Sequence, residues 1–160
     1  MWDIIRLSLL LTLVALLVIA AVGDVRRYRI SNRLCIVVAG LALPYWLAAS
    51  AATGAALLPL LGWQIGVALL VFIGFAVLFA LGAMGGGDVK LVAALALWIP
   101  PARILELIFL IAIYGGVLAL VLVVTRRLRG QTHRAVPYGV AIALGGITLA
   151  LEPIVNFSGL

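Results

Sequence analysis

The stretch LLPLLGWQIGVALLVFIGFAVLFALGAMGGGDVK, Leu57–Lys90, carries no charged side chain until Asp88. A helix needs roughly 20 apolar residues to cross roughly 30 Å of hydrocarbon, and the run Leu57–Ala83 is long enough to do so. Lipid offers a backbone no hydrogen-bond partner, so the run reads as a membrane-spanning helix. It ends on MGGGDVK, Met84–Lys90, which puts a carboxylate behind three glycines at the edge of a membrane segment. Acids are costly there and default to a functional reading.

The rest of the chain has the same texture. Of its 160 residues 67% are hydrophobic and 10% charged, and the mean hydropathy is +1.36. Soluble domains are roughly half apolar and about a quarter charged. The expectation is an all-α integral membrane protein: one domain over residues 1–160, folded as a compact bundle of about six transmembrane helices. The spans read as Ile4–Val22, Leu34–Ala49, Leu57–Ala83, a short Val89–Ile99, Ile104–Thr125 and Val136–Leu151. The alternation of a membrane barrel is absent. The first span is not read as a signal peptide, because Asp3 offsets Arg6 ahead of it and the remaining chain is also membrane.

Eleven basic residues fix the expected orientation. Arg26, Arg27, Arg29 and Arg33 follow span one, Lys90 follows span three, and Arg126, Arg127, Arg129 and Arg134 follow span five. Only Arg6 and Arg103 fall on the other side. The positive-inside rule makes the crowded side cytoplasmic and leaves both termini and the Ser50–Ala56 loop outside. The net charge of +6 is then a matter of topology and of anionic headgroups near the basic loops, not of nucleic acid.

Of the five acids, Asp3, Glu106 and Glu152 belong to the outer half, and only Asp24 and Asp88 to the cytoplasmic half. These two stand at equivalent ends of spans one and three, where a packed bundle can bring them together. Two adjacent carboxylates do not both ionise readily, so they share a proton. One member can then activate water while the other polarises a carbonyl, which is peptide hydrolysis by general acid–base catalysis. The plainer reading pairs each acid with a neighbouring arginine, or makes Asp88 the N-cap of span four. Gly85, Gly86 and Gly87 permit unusual backbone angles and the close approach of an extended substrate, or serve as a hinge. The lone Cys35 and the lone His133 supply no metal cage, and neither a metal nor a cofactor is expected.

Three motifs in order carry a family resemblance. Gly85-Gly86-Gly87-Asp88-Val89-Lys90 is similar to the G-x-G-D-x-K signature of type IV prepilin peptidases, which include the preflagellin peptidases. Asp24 followed by Ile30-Ser31-Asn32 resembles their D-x5-I-P-N motif, and Val136-Pro137-Tyr138-Gly139 their late P-[FY]-G element. Ser31 stands where the family usually has proline, so the loop after Asp24 is expected to be less rigid. The resemblance implies an intramembrane aspartic endopeptidase of the prokaryotic inner membrane. It would remove short basic leaders from prepilin or pseudopilin precursors at the cytoplasmic face, serving pilus biogenesis and protein secretion. Asp24 and Asp88 carry over as the catalytic pair. Gly85, Gly86, Gly87, Lys90, Asn32, Pro137, Tyr138 and Gly139 carry over as substrate-binding or supporting residues. The short chain resembles the compact members that serve tight-adherence (Flp) pili. It has no cytoplasmic segment with paired cysteines, so N-methyltransferase activity is not expected. The alternatives are a small proton-coupled transporter, to which an aspartate pair and the glycine pairs Gly115-Gly116 and Gly145-Gly146 would also be suited, or a non-catalytic membrane scaffold of a pilus or secretion machine.

Other residues have structural readings. Gly62, Gly66, Gly74 and Gly82 recur at multiples of four and read as a helix-packing stripe. Lys90 either tunes the carboxylate pair or snorkels, Asn32 closes its own turn, Cys35 packs as a small apolar group, and His133 lies in a solvated loop. Trp2, Trp46, Trp63 and Trp98 read as an aromatic belt at the outer helix ends. Span four is about half a bilayer long before Pro100-Pro101 stops it. Either its far end stops inside the membrane or Asp88 starts below the surface, and Trp98 at an interface favours the second.

Overall fold

The computed structural model describes residues 1–128 and 136–158. The fold is all-helical: α1 (Trp2–Arg27), α2 (Asn32–Thr53), α3 (Leu57–Ala80), α4 (Gly86–Ala96), α5 (Ile104–Leu128) and α6 (Tyr138–Ser158), with a 3-10 turn, Pro101–Arg103, leading into α5. All except α4 are long and apolar enough to cross a membrane. The outside of the bundle is apolar, with Leu58, Trp63, Leu70, Phe109 and Leu120 among the exposed side chains, as lipid as solvent requires. Arg129, His133 and Arg134 lie outside the described residues.

The short α4 is the centre of the bundle. It packs against α3, α2 and α6, while α1 is held between α2 and α6, and α5 lies on α6. Val89, Leu91, Val92, Leu95 and Ala96 are buried, so α4 is apolar nearly all round, as a core helix is. Its last carbonyls end inside the protein, where an orphan C=O is expensive. Side chains take them up. Gln64, buried in α3, donates Nε2 to the carbonyls of Ala96 (2.8 Å) and Ile99 (2.5 Å), and Trp46 donates Nε1 to that of Leu97 (2.6 Å). Gln64→Leu keeps the volume and orphans two carbonyls. It should destabilise the fold by about 1–3 kcal/mol, read as a lowered unfolding midpoint in detergent.

Three expectations are corrected here. The belt reading fails for Trp46 and Trp98, which are buried; Trp98 donates Nε1 to the carbonyl of Val38 (2.8 Å) and stacks beside Tyr45. With Trp98 in the core, its supposed interface position no longer argues for a recessed Asp88: the C-terminal end of α4 stops within the bundle. The stripe Gly62, Gly66, Gly74 and Gly82 does not pack α3 on this chain, since a Cβ at any of them would meet nothing within 4 Å. The packing glycines are on α6, where a Cβ on Gly145 would lie 3.1 Å from Ile111 and one on Gly146 2.6 Å from Leu95. Helices α5 and α6 run unbroken through both glycine pairs, unlike the interrupted helices of many transporters.

Candidate active site

Helix α1 does not stop at Val22 but runs on to Arg27, which puts Asp24 in its last turn. Tyr28 closes the helix in the left-handed region (φ 51°), its N–H donating to the Asp24 carbonyl at 2.8 Å. The chain turns through Arg29 and Ile30 into α2, for which Ser31 is the N-cap. Its φ of −69° is one that a proline ring imposes, so Ser31 keeps the backbone form of the family's proline.

Asp24 is buried, 4% exposed, and its Oδ2 accepts the Gly139 N–H at 2.7 Å. Gly139 is in the first turn of α6, directly after Pro137 and Tyr138. Its N–H is one of the donors a helix start leaves free, and the helix dipole there favours an anion. A Cβ on Gly139 would come within 2.8 Å of Asp24 Oδ2 and of Ile30 Cδ1, so only glycine lets α6 approach this closely.

Asp88 also sits at a helix start. It is not the N-cap of α4: Gly85 is, and Asp88, three residues on, accepts the Gly85 N–H on Oδ2 at 3.2 Å. Its other oxygen, Oδ1, is buried and has no hydrogen-bond partner among the described residues. Asp88 lies at the start of α4, outside the five crossing helices. Its carboxyl is pushed up to about 6, by burial first and by the charge of Asp24 second, against the Gly85 N–H.

The glycine triplet works by close packing, not by unusual angles. Gly85 has an ordinary φ of −76°, and the glycines with positive φ among the described residues are Gly54 and Gly82. A Cβ on Gly85 would meet Asp88 Oδ2 at 2.8 Å, one on Gly86 the Phe79 ring at 3.3 Å, and one on Gly87 the backbone and Cβ of Ile30 at 3.2–3.4 Å. Lys90 donates Nζ to Asn32 Oδ1 at 2.9 Å, so Asn32 ties α2 to α4 instead of closing its own turn. Cys35 is buried beside them, its Sγ 3.9 Å from the Gly87 carbonyl oxygen.

The acids at the other end of the bundle are all neutralised. Asp3 pairs with Arg6 at 3.4 Å, while Arg103 holds both Glu106 (2.8 Å) and Glu152 (2.5 Å). Asp24 and Asp88 have no ion-pair partner among the described residues, which removes the arginine-pairing reading there. Sequence reasoning missed Gln64 and the place of Ile30 between two glycines. A glutamine alone in an apolar helix was the available signal for the first; for the second there was none.

Asp24 on α1 and Asp88 on α4 are near enough for the charge of Asp24 to push Asp88 up, and each carboxylate accepts an N–H at a helix N-terminus. The chain belongs to the type IV leader peptidase family, matching it over residues 11–122. That span holds both Asp24 and Asp88 and makes the protein a member of a peptidase family. No curated protein and no solved structure matches the chain.

Proposed function

We propose that the protein is an intramembrane aspartic endopeptidase that cleaves the short basic leader from Flp-type prepilin or pseudopilin precursors at the cytoplasmic face. The observation that carries this reading is the convergence of Asp24 and Asp88, neither with an ion-pair partner among the described residues, and the raised carboxyl of Asp88 beside Asp24. Both carboxylates accept an N–H on Oδ2, but only Asp88 also has a buried oxygen, Oδ1, without a partner among the described residues, so Asp88 is the member suited to keep the shared proton and Asp24 to act as the base. The Asp24 carboxylate takes a proton from water as its oxygen attacks the scissile carbonyl carbon. Asp88 gives its proton to the carbonyl oxygen, forming a neutral tetrahedral diol. Collapse of the diol breaks the C–N bond, with a proton passing to the leaving amine and one returning to the pair.

Both the leader and the proposed cytoplasmic face are basic, so charge attraction does not explain binding. Apolar contact does. A groove of about 440 Å³ is lined by Phe75, Met84, Ile108, Gly115, Gly116 and Tyr138. At one end Met84 and Tyr138 directly precede Gly85 and Gly139, which hold the two carboxylates. An apolar helix of the precursor lying there would bring its end to the pair.

Incubating the purified protein with a precursor that has a basic leader ahead of an apolar helix should give one cut at the leader boundary, read by mass spectrometry. An intact precursor under conditions where the protein is folded would refute the reading. Because Asp88 must hold a proton, kcat/KM should fall about tenfold per pH unit as pH rises beyond about 6, the value for Asp88. A rate that is flat from pH 5 to pH 8 would contradict that assignment (about one proton, one decade per unit). For orientation, a cysteine at position 129 should label from the cytoplasm and one at Thr53 from outside; the reverse pattern would put the pair on the wrong face.

A further inference from the structure

We propose that Ile30 is a positioning residue, the spacer that sets the distance between the two carboxylates. This rests on the aspartic peptidase reading. Ile30 stands between the two segments that hold the acids. On one side its N, Cβ and O lie 3.4, 3.2 and 3.3 Å from where a Cβ of Gly87 would be. On the other its Cδ1 lies 2.8 Å from where a Cβ of Gly139 would be. Gly87 is the residue before Asp88, and Gly139 is the one whose N–H holds Asp24. The two glycines thus lack side chains over the volume that Ile30 fills, and one isoleucine separates the start of α4 from the start of α6.

The neighbours of Ile30 are anchored, so it acts as a fixed wedge. Tyr28 pins the loop to Asp24 through its N–H. Ser31 starts α2, and Asn32 is tied to Lys90 at 2.9 Å. Close-packed interiors are stiff and pass on the loss of a methyl group as movement or as a void. Truncating Ile30 to alanine keeps the N, Cβ and O that face Gly87 and removes the Cδ1 that faces Gly139, leaving the start of α6 free to shift toward α4 by about the width of a methyl group. Acid–base catalysis is sensitive to displacements of this size, on the order of a hundredfold for about 1 Å.

The test has two arms. In the first, Ile30→Ala should lower kcat by about a hundredfold, with KM within about threefold of wild type, because the precursor's apolar contacts are elsewhere. Ile30→Leu, which keeps a terminal methyl, should recover most of the rate. Equal losses in kcat/KM for the two variants, or a loss in KM alone, would overturn the spacer role. The second arm needs no activity and so separates failure of the spacer from failure of the peptidase reading. Asp24→Cys and Asp88→Cys are combined with Cys35→Ala, and the pair is bridged with bis-methanethiosulfonates of graded length. With Ile30 present one spacer length should react far faster than the others, and with Ile30→Ala that preference should be lost. An unchanged length preference would overturn the proposal, even if the precursor is never cleaved.

Discussion

Asp24→Asn and Asp88→Asn should each lower precursor cleavage by at least about 10³-fold, while the protein still inserts and folds. General acid–base participation contributes on the order of 10²–10⁴, and Asp24→Asn removes the base while Asp88→Asn removes the acid. The change is nearly isosteric and suits each site differently. An asparagine at 24 can still accept the Gly139 N–H, now at 2.7 Å, through its amide oxygen. At 88 it can still accept from Gly85. The local fold is therefore retained, and the loss is chemical. Quantitative cleavage by purified variants, beside matched thermal unfolding, checks this. Wild-type rates in either variant would exclude the pair as the acid and base.

Gly139→Ala should also be costly, by a different route. The added methyl would lie 2.8 Å from Asp24 Oδ2 and 3.0 Å from Asp24 Cβ, with Ile30 Cδ1 also at 2.8 Å. Ile30 Cδ1 could swing aside, but Asp24 Cβ is fixed by its backbone and Asp24 Oδ2 by its hydrogen bond, so α6 must withdraw. The Gly139 N–H then leaves Asp24, and a buried carboxylate without its donor is costly. A fall of about a hundredfold in kcat is expected, together with a stability loss of about 1–3 kcal/mol from overpacking. Gly116→Ala is the control: a Cβ there meets nothing within 4 Å, so it should leave the unfolding midpoint near wild type.

The helices were legible because lipid makes the apolar run the dominant signal. The start of α3 at Leu57 and of α5 at Ile104 fell where the sequence placed them. Helix ends were less legible. The first helix continues past Val22 to Arg27, since basic residues at a membrane surface do not stop a helix. Helix α4 stops at Ala96, before its prolines. The roles of Gln64, Trp46 and Trp98 were hidden for one reason: they answer carbonyls that exist only because a short helix ends inside a bundle. The α3 glycines show the limit of pattern alone, since a small-residue stripe does not say which side of a helix has a neighbour.

At the site, Asp24 and Asp88 could be chosen from the sequence because so few acids exist and three of the five are at the other end. That Gly85 caps α4 and that Asp88 folds back on it was not legible, because glycine at an N-cap and an acid three residues on also describe a simple hinge. Ile30 was quoted only as a motif letter; its contacts join residues far apart in sequence.

The central claim is that Asp24 and Asp88 form one coupled pair holding one proton. Infrared difference spectroscopy of the protonated carboxyl stretch, titrated without substrate, tests it most directly. A protonated carboxyl should persist up to about pH 6, the value for Asp88, and vanish in Asp88→Asn. In Asp24→Asn its midpoint should move to lower pH, because the neighbouring negative charge that holds the proton on Asp88 is gone. A band that titrates with ordinary carboxylates near pH 4, or one that Asp24→Asn leaves unmoved, would contradict the account.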